Sequence, residues 1–144
     1  MNFTIRQAGK KDIPSLRTLF IELTGHELTD ADVADRLEMI EKSPIDELYV
    51  CEQEKRILGV LGFRIRENIE EPGRYGEISV IVTDPKNRMH GVGRSLMEFA
   101  ERRSEELGCI GTWLVSGFGR EEAAHKFYAK LRYTVTGYRF VKRF

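Results

Sequence analysis

YGEISVIVTDPKNRMHGVGRSLMEFAERRSEEL, residues 75–107, is the stretch whose reading decides the fold. Its first eight residues are rich in β-branched side chains and alternate, so they read as a strand from Tyr75 to Val82. Pro85 breaks the run after Thr83 and Asp84, and a polar loop follows. From about Val92 to Leu107 the apolar residues recur at helical spacing, and Gly108 supplies the stop. The helix is entered through Gly91 and Gly93, which lets the chain approach a ligand without a Cβ in the way. Its first N–H groups have no partner within the helix, so the entry is a place where an anion could sit.

The elements on either side alternate in type. Phe3–Ala8 alternates as a strand, and Asp12 with Pro14 opens a helix that Gly25 ends. Thr29 starts a second helix, with Asp32 three residues on in the capping-box position, and Pro44 stops it. Glu47–Gln53 and Ile57–Arg66 are β-rich runs joined by the polar Glu54, Lys55 and Arg56, which predicts a hairpin. Gly59 and Gly62 within the second run mark a bulge or a close approach. After residue 107 come a short strand, Thr112–Val115, a helix, Glu121–Leu131, and a final alternating run, Thr134–Val141, that reads as a strand. The order β, α, α, β, β, β, α, β, α, β predicts a mixed α/β fold, a mixed sheet with helices on its faces.

Composition sets the outer bounds. A chain of 144 residues fits a single domain over 1–144, since domains cluster at about 100–150 residues. No run approaches the roughly 18 apolar residues of a membrane span, and neither a signal peptide nor an anchor is visible, so a cytoplasmic setting is expected. Cys51 and Cys109 are far apart and lack C-x-x-C spacing, which gives no support to a disulfide framework or a metal site. The 23 basic and 23 acidic groups balance, so no nucleic-acid footprint is expected. They are unevenly placed, however. Within 22–47 nine acidic groups face only Arg36 and Lys42, a surface able to attract cations.

The glycine pair of the 75–107 stretch becomes more specific in context. Pro85-Lys-Asn-Arg88-Met-His-Gly91-Val-Gly93-Arg94 resembles the R/Q-x-x-G-x-G/A signature of the GNAT superfamily, the acyl-CoA-dependent N-acetyltransferases. Downstream, Ala124-His-Lys-Phe127-Tyr128-Ala-Lys130-Leu131-Arg132-Tyr133 resembles that family's A-x-x-F-Y-x-K-x-G-F helix. The element order is also similar, so the resemblance covers nearly the whole chain.

The resemblance implies a mostly antiparallel mixed sheet with four flanking helices and a V-shaped slot where two strands splay apart. Acetyl-CoA is the implied cosubstrate. The main chain of Ile81, Val82 and Thr83 would pair with the pantetheine arm. Backbone from Met89 through His90, Gly91, Val92 and Gly93 to Arg94 would cradle the pyrophosphate, with Arg88 and Lys86 as charged donors. Tyr128 matches the tyrosine that serves the departing thiolate. With ordinary pKa values, full proton transfer from tyrosine to a thiolate is uphill by about 2 kcal/mol, so a hydrogen bond to sulfur is the expected role.

An alkylammonium acceptor costs about 4–5 kcal/mol to deprotonate at neutral pH, which calls for a base or a water chain. Glu77 is the candidate, on the reading that Glu77, Ser79, Ile81 and Thr83 alternate onto one strand face. His26, His90 and His125 read as solvent-facing. Two residues depart from the family pattern: Glu121 stands at a cofactor-contacting position often held by asparagine, and Arg132 replaces the glycine after the helix.

The expected activity is direct transfer of an acetyl group to a primary amine, a small molecule or a peptide group, with cationic acceptors favoured by the acidic 22–47 segment. The alternative is a non-catalytic acyl-CoA-binding sensor or scaffold. The final strand, with Tyr138 and Phe140 in line, is an edge that can pair between subunits as a homodimer.

Overall fold

The structure, a computed structural model, describes residues 2–87, 90–116 and 121–144, without the side chain of Glu121. The chain separates into two compact units, Met1–Trp113 and Leu114–Phe144. Strands β1 (Thr4–Gln7), β2 (Asp46–Gln53), β3 (Arg56–Glu67), β4 (Arg74–Thr83) and β5 (Gly111–Leu114) lie in one mixed sheet in that order. The first four pair antiparallel. Among the described residues there are four α-helices: α1 (Ile13–Thr24), α2 (Asp30–Lys42), α3 (Val92–Glu106) and α4 (Glu121–Lys130). Strands β4 and β5 are joined through α3 rather than by a hairpin, the long crossover that a parallel neighbour requires.

Two apolar layers cover opposite faces of the sheet. On one, Leu48, Val50, Val60 and Val82 pack against Leu16 and Leu19 of α1 and Val33 and Leu37 of α2. On the other lies α3, whose Phe99 meets Tyr49 edge-on at 4.6 Å between ring centroids. Backbone glycines let α3 sit close: a Cβ on Gly59 would come within 2.9 Å of Val92 and 3.0 Å of Leu96. At Gly76 it would meet the Ser104 hydroxyl and come within 2.7 Å of the Phe63 ring. Arg103 fastens the same helix to β2 by two hydrogen bonds to Glu47, at 2.9 and 2.8 Å, and Tyr49 donates to that carboxylate at 2.6 Å. The guanidinium holds Glu47 below the usual carboxylate range, while burial, with Glu47 adding to it, pushes Tyr49 up to about 12.

Local chemistry explains the element ends. Thr29 and Asp32 form a full capping box, each side chain accepting from the other's backbone N–H at 3.0 and 2.9 Å. Glu54 and Lys55 turn the β2–β3 hairpin with φ of 50° and 64°, the two left-handed positions of a type I′ turn. Asp12 stands at the N-cap of α1 but does not cap it. It is 4% exposed, accepts from Gly9 N–H at 2.8 Å, and takes two hydrogen bonds from Arg6, which also reaches Glu52. Buried beside a guanidinium, its carboxylate is committed to the β1–α1 corner and held below its ordinary pKa.

The expected strand at Thr134–Val141 is absent: residues 133–144 carry no regular secondary structure. Alternation sets an extended preference, but a strand exists only when a neighbour completes its ladder, and Tyr138 and Phe140 are left 87% and 93% exposed. Among the described residues, no helix is long and apolar enough to cross a membrane.

Gly76 provides a direct test of how closely α3 is seated. Gly76→Ala is expected to destabilise the chain by about 1–3 kcal/mol, lowering the thermal midpoint by roughly 3–10 °C, because a methyl group has no room beneath Ser104 and Phe63. An unchanged midpoint would show that the contact yields freely.

Candidate active site

Strand β4 carries the candidate residues, and its geometry turns on one irregularity. Facing β3, Gly62 is opposite Val80 but Phe63 is opposite Ile78, so Ser79 is an extra residue, a β-bulge. Residues directly opposite in an antiparallel pair share a face. Thr83 is opposite Gly59 and Ile81 opposite Leu61, which places both on the α3 side with Tyr49, the partner of Leu61 on β2. Glu77 is opposite Arg64, which is itself opposite Asp46, two residues from Leu48 on the α1–α2 side. The expected alternation of Glu77, Ser79, Ile81 and Thr83 on one face is therefore corrected: the bulge reverses the strand's parity, and Glu77 emerges on the opposite face from Ile81 and Thr83. Gly62 permits this, since a Cβ there would come within 2.6 Å of the Ser79 hydroxyl.

Around Glu77 the structure gathers charge and one aromatic ring. The Arg66 guanidinium is 4.0 Å from the Glu77 carboxylate and 5.4 Å from the centroid of the Trp113 ring on β5. Arg64 is held away by a 2.8 Å hydrogen bond to Asp46. The Glu77 side chain is 15% exposed, largely enclosed but open to one side. Trp113, Arg64 and Arg66 were not singled out by sequence; the only signal, the i, i+2 spacing of the two arginines on a strand facing Glu77, acquires meaning once the register is known.

At the far end of β4, Ile81, Val82 and Thr83 pair with β3 on one side. On its other side β4 meets β5, which is only four residues long and begins where Ile110 N–H donates to Arg74 O at the start of β4. The chain then turns on Asp84, whose carboxylate accepts from Lys86 N–H at 3.0 Å and from the Asn87 amide at 3.1 Å. Arg88 and Met89 lie outside the described residues. His90 is exposed, and Gly91, at φ +84°, is the N-cap of α3 with no side chain closing the helix end. Ser95 N–H bonds back to Gly91 O at 2.9 Å, so the N–H groups of Val92, Gly93 and Arg94 are the ones that precede the helical ladder. Val92 is buried and anchors the turn, while the Arg94 side chain is turned to Glu98 at 2.8 Å. A bare, positively polarised helix end of this kind accommodates a phosphate.

In the second unit Tyr128 is half-buried on α4 and contacts Phe127 and Tyr133 edge-on, at 5.1 and 6.1 Å. The helix ends in a Schellman arrangement: Tyr133 N–H donates to Tyr128 O at 3.0 Å, Arg132 N–H to Ala129 O at 2.9 Å, and Arg132 takes the left-handed conformation at φ +69°. The arginine thus occupies the place that glycine fills in the family pattern, keeping the turn at some backbone cost. Glu121 opens α4, but its side chain lies outside the described residues. Cys51 is fully buried with its thiol pushed up to about 11 by desolvation, and burial also raises Cys109, so neither is disposed to act as a thiolate.

A sequence model of the Acetyltransferase (GNAT) family matches residues 13–133 and so spans both units. The chain belongs to the GNAT family. It is 25% identical over 138 residues to an aminoalkylphosphonate N-acetyltransferase of Salmonella typhimurium strain LT2, covering 96% of this chain and 89% of that one. A transcriptional regulator from Bacillus halodurans C-125 superposes with a TM-score of 0.91 at 20% identity, over 99% of this chain and 100% of that one. An aminoglycoside N-acetyltransferase, AAC(6')-Iy, crystallised with CoA, gives 0.84 at 18% identity, over 99% and 94%. The protein is an acyl-CoA-dependent N-acetyltransferase with acetyl-CoA as cosubstrate. Among the described residues no cluster of three His, Cys, Asp or Glu side chains could hold a metal.

A GNAT enzyme that uses this helix start for CoA should be sensitive at Gly91. Forcing a Cβ into the left-handed region costs about 1–2 kcal/mol, so Gly91→Ala is expected to weaken CoA binding about ten-fold by calorimetry. Undiminished affinity would show that this turn does not serve the cofactor.

Proposed function

We propose that this GNAT enzyme passes the acetyl group of acetyl-CoA directly to a primary amine of a small molecule or peptide, with Glu77 accepting the amine proton and Tyr128 assisting the thiolate. The observation that carries this reading is the bulge-directed placement of Glu77. A largely enclosed carboxylate stands six residues before the strand end, on the opposite face from Ile81 and Thr83, and among the described residues its nearest ion-pair partner is Arg66 at 4.0 Å. In the proposed complex, the main chain of Ile81–Thr83 lies along the pantetheine arm, and the N–H groups of Val92–Arg94, continuing the loop through Arg88, Met89 and His90, hold the pyrophosphate. Acetyl transfer then needs the amine lone pair. Glu77 receives the proton as nitrogen attacks the thioester carbonyl, the C–S bond breaks, and the electron pair leaves on sulfur, where the Tyr128 hydroxyl donates.

The acceptor is proposed to be cationic. Segment 22–47 carries nine acidic groups and two basic ones, and several of the acidic groups are partnered: Asp35 by Arg36, Glu38 by Lys42, Asp32 by the helix cap, Asp46 by Arg64 and Glu47 by Arg103. Charges that remain exposed on α2 raise the local concentration of a polyamine, an aminoglycoside or a lysine-bearing peptide. The two named acetyltransferases bracket the choice, one acting on aminoalkylphosphonates and the other on aminoglycosides.

Glu77→Gln should lower kcat/KM by about 100-fold or more and remove the acidic limb of its pH profile, leaving a rate that follows amine ionisation alone. An unchanged profile retires Glu77 as the base. Thiol release over polyamine, aminoglycoside, lysine peptide and aminoalkylphosphonate tests the acceptor: cationic amines should lead by at least about ten-fold at low salt, narrowing as salt rises. Equal efficiency removes the charge argument, and CoA binding without turnover on any amine supports the sensor alternative. In the same assay Tyr128→Phe should lower kcat while leaving CoA affinity intact.

A further inference from the structure

The sheet face around Glu77 gathers more than a base needs. Arg66 is opposite Tyr75 and Arg64 opposite Glu77, so these four share one face of β3 and β4. A Cβ on Gly111 would come within 3.0 Å of the Tyr75 ring, so Gly111 turns to that face, and Trp113, two residues along β5, shares it. An enclosed carboxylate beside aromatic rings is the composition of a site for an organic cation. One cation is already there: the Arg66 guanidinium, 5.4 Å from the centroid of the Trp113 ring and 4.0 Å from the Glu77 carboxylate. Its hold is loose. Arginines that secure the fold are saturated, Arg6 by Asp12 and Glu52, Arg103 by Glu47 and Arg64 by Asp46, all through hydrogen bonds of 3.2 Å or less. Arg66 lies beyond hydrogen-bond range of Glu77, and its side chain is 45% exposed against 15% for Glu77. The guanidinium can therefore leave for water while the carboxylate stays enclosed.

We propose that Arg66 is a placeholder for the acceptor: the protonated amine displaces the guanidinium and takes its place between the Trp113 ring and the Glu77 carboxylate. The proposal rests on the reading of Glu77 as the acceptor-side carboxylate and deepens it by stating what the acceptor must carry. One cation is exchanged for another, so the carboxylate is never left enclosed without a countercharge. An ammonium is more compact than a guanidinium and has three rotatable donors, so it can close to hydrogen-bond distance of a carboxylate that Arg66 only approaches. The proton it must lose before attack then lies against the group that the proposed reaction assigns to receive it. An uncharged compound gains nothing from the ring or the carboxylate and leaves Arg66 in place. Arg66 thereby sets specificity by competition. An acceptor meets only the fraction of molecules whose guanidinium has swung out, and its apparent affinity is reduced by that fraction. Arg64 is no second competitor, because its Nε is bonded to Asp46.

Trp113 is the one tryptophan of the chain, so its emission reports directly on what lies over the ring. Spermidine titrated into the enzyme with CoA, and with no acetyl donor present, is expected to change that emission saturably, whereas an uncharged alkanediol of similar length is not. Arg66→Met removes the competing charge and keeps the stem, so it should lower the spermidine dissociation constant about ten-fold, while Arg66→Lys stays near the wild-type value. A constant that is unchanged or raised in Arg66→Met overturns the inference, as does an emission change that the diol produces equally. If Arg66→Met is not folded by circular dichroism, the wild-type comparison decides: a response to spermidine alone supports the displacement, and no response or an equal one overturns it. Because no turnover enters the titration, the two readings fail separately. An unchanged pH profile in Glu77→Gln removes the base and leaves a saturable spermidine response in support of the displacement, whereas preferred turnover of cationic amines without any Trp113 response overturns the displacement alone.

Discussion

The bulge at Ser79 is the constraint on which the candidate site depends. A strand's side chains alternate without exception, so a ten-residue strand with regular pairing would carry Glu77 on the face that bears Ile81 and Thr83. That face is sealed by α3 through Val92, Leu96, Met97 and Ala100, each at most 2% exposed, and a carboxylate there would lose its water without a compensating partner. One inserted residue resolves the conflict. Val80 and Val82 then join the α1–α2 core, Ile78 remains under α3, and Glu77, the one acidic residue of β4, turns toward Arg64 and Arg66. Gly62 is the matching concession on β3, because a side chain there would occupy the space of Ser79 and Val80.

Seating α3 follows from the same strand pair. The helix lies close to the sheet at two bare positions, Gly59 near its start and Gly76 near its end, and Arg103 ties its final turns to Glu47. A helix fixed at both ends has a fixed axis, so the first N–H groups, which have no partner within the helix, point in a fixed direction. Strand β4 ends at Thr83, and the turn built on Asp84 spans the gap to that helix start, which links the strand's backbone and the helix's positive end in one short segment. Strand main chain next to a bare helix N-terminus is an arrangement suited to a ligand with an amide-bearing arm and a phosphate group.

Much of this was legible in the sequence where the governing physics is local. Thr29 with Asp32, Gly25, Gly108 and the polar Glu54–Lys55 hairpin turn each act within four residues, and the structure places element boundaries within a residue or two of them. The residues that misled are those whose behaviour is set by distant partners. Asp12 looked like a cap, but Arg6 and Gly9 claim its carboxylate. Ser79 looked like a regular strand residue, because a bulge is a property of two strands and its cause, the apolar seal of α3, lies elsewhere in the chain. The 134–141 segment looked like a strand because alternation is local, whereas pairing is not. Arg66 and Trp113, 47 residues apart in the numbering of the chain, have no sequence signal that joins them.

The surroundings of Glu77 differ from those of the carboxylates that hold the fold together. A carboxylate recruited for stability is saturated, as Glu47 is by two hydrogen bonds from Arg103 and one from Tyr49, and Asp12 by Arg6 and Gly9. Its lone pairs are then spent, and its pKa falls, so it is a poor acceptor. Glu77 is arranged differently. Arg64, its cross-strand neighbour, spends its Nε on Asp46 at 2.8 Å, and Arg66 is drawn over the Trp113 ring, reaching Glu77 only at 4.0 Å, beyond hydrogen-bond range. Among the described residues, the two arginines bring positive charge toward a mostly enclosed carboxylate without hydrogen-bonding to its oxygens. Trp113 and Asp46 engage the two arginines, and the Glu77 carboxylate is left sheltered beside positive charge rather than saturated by it.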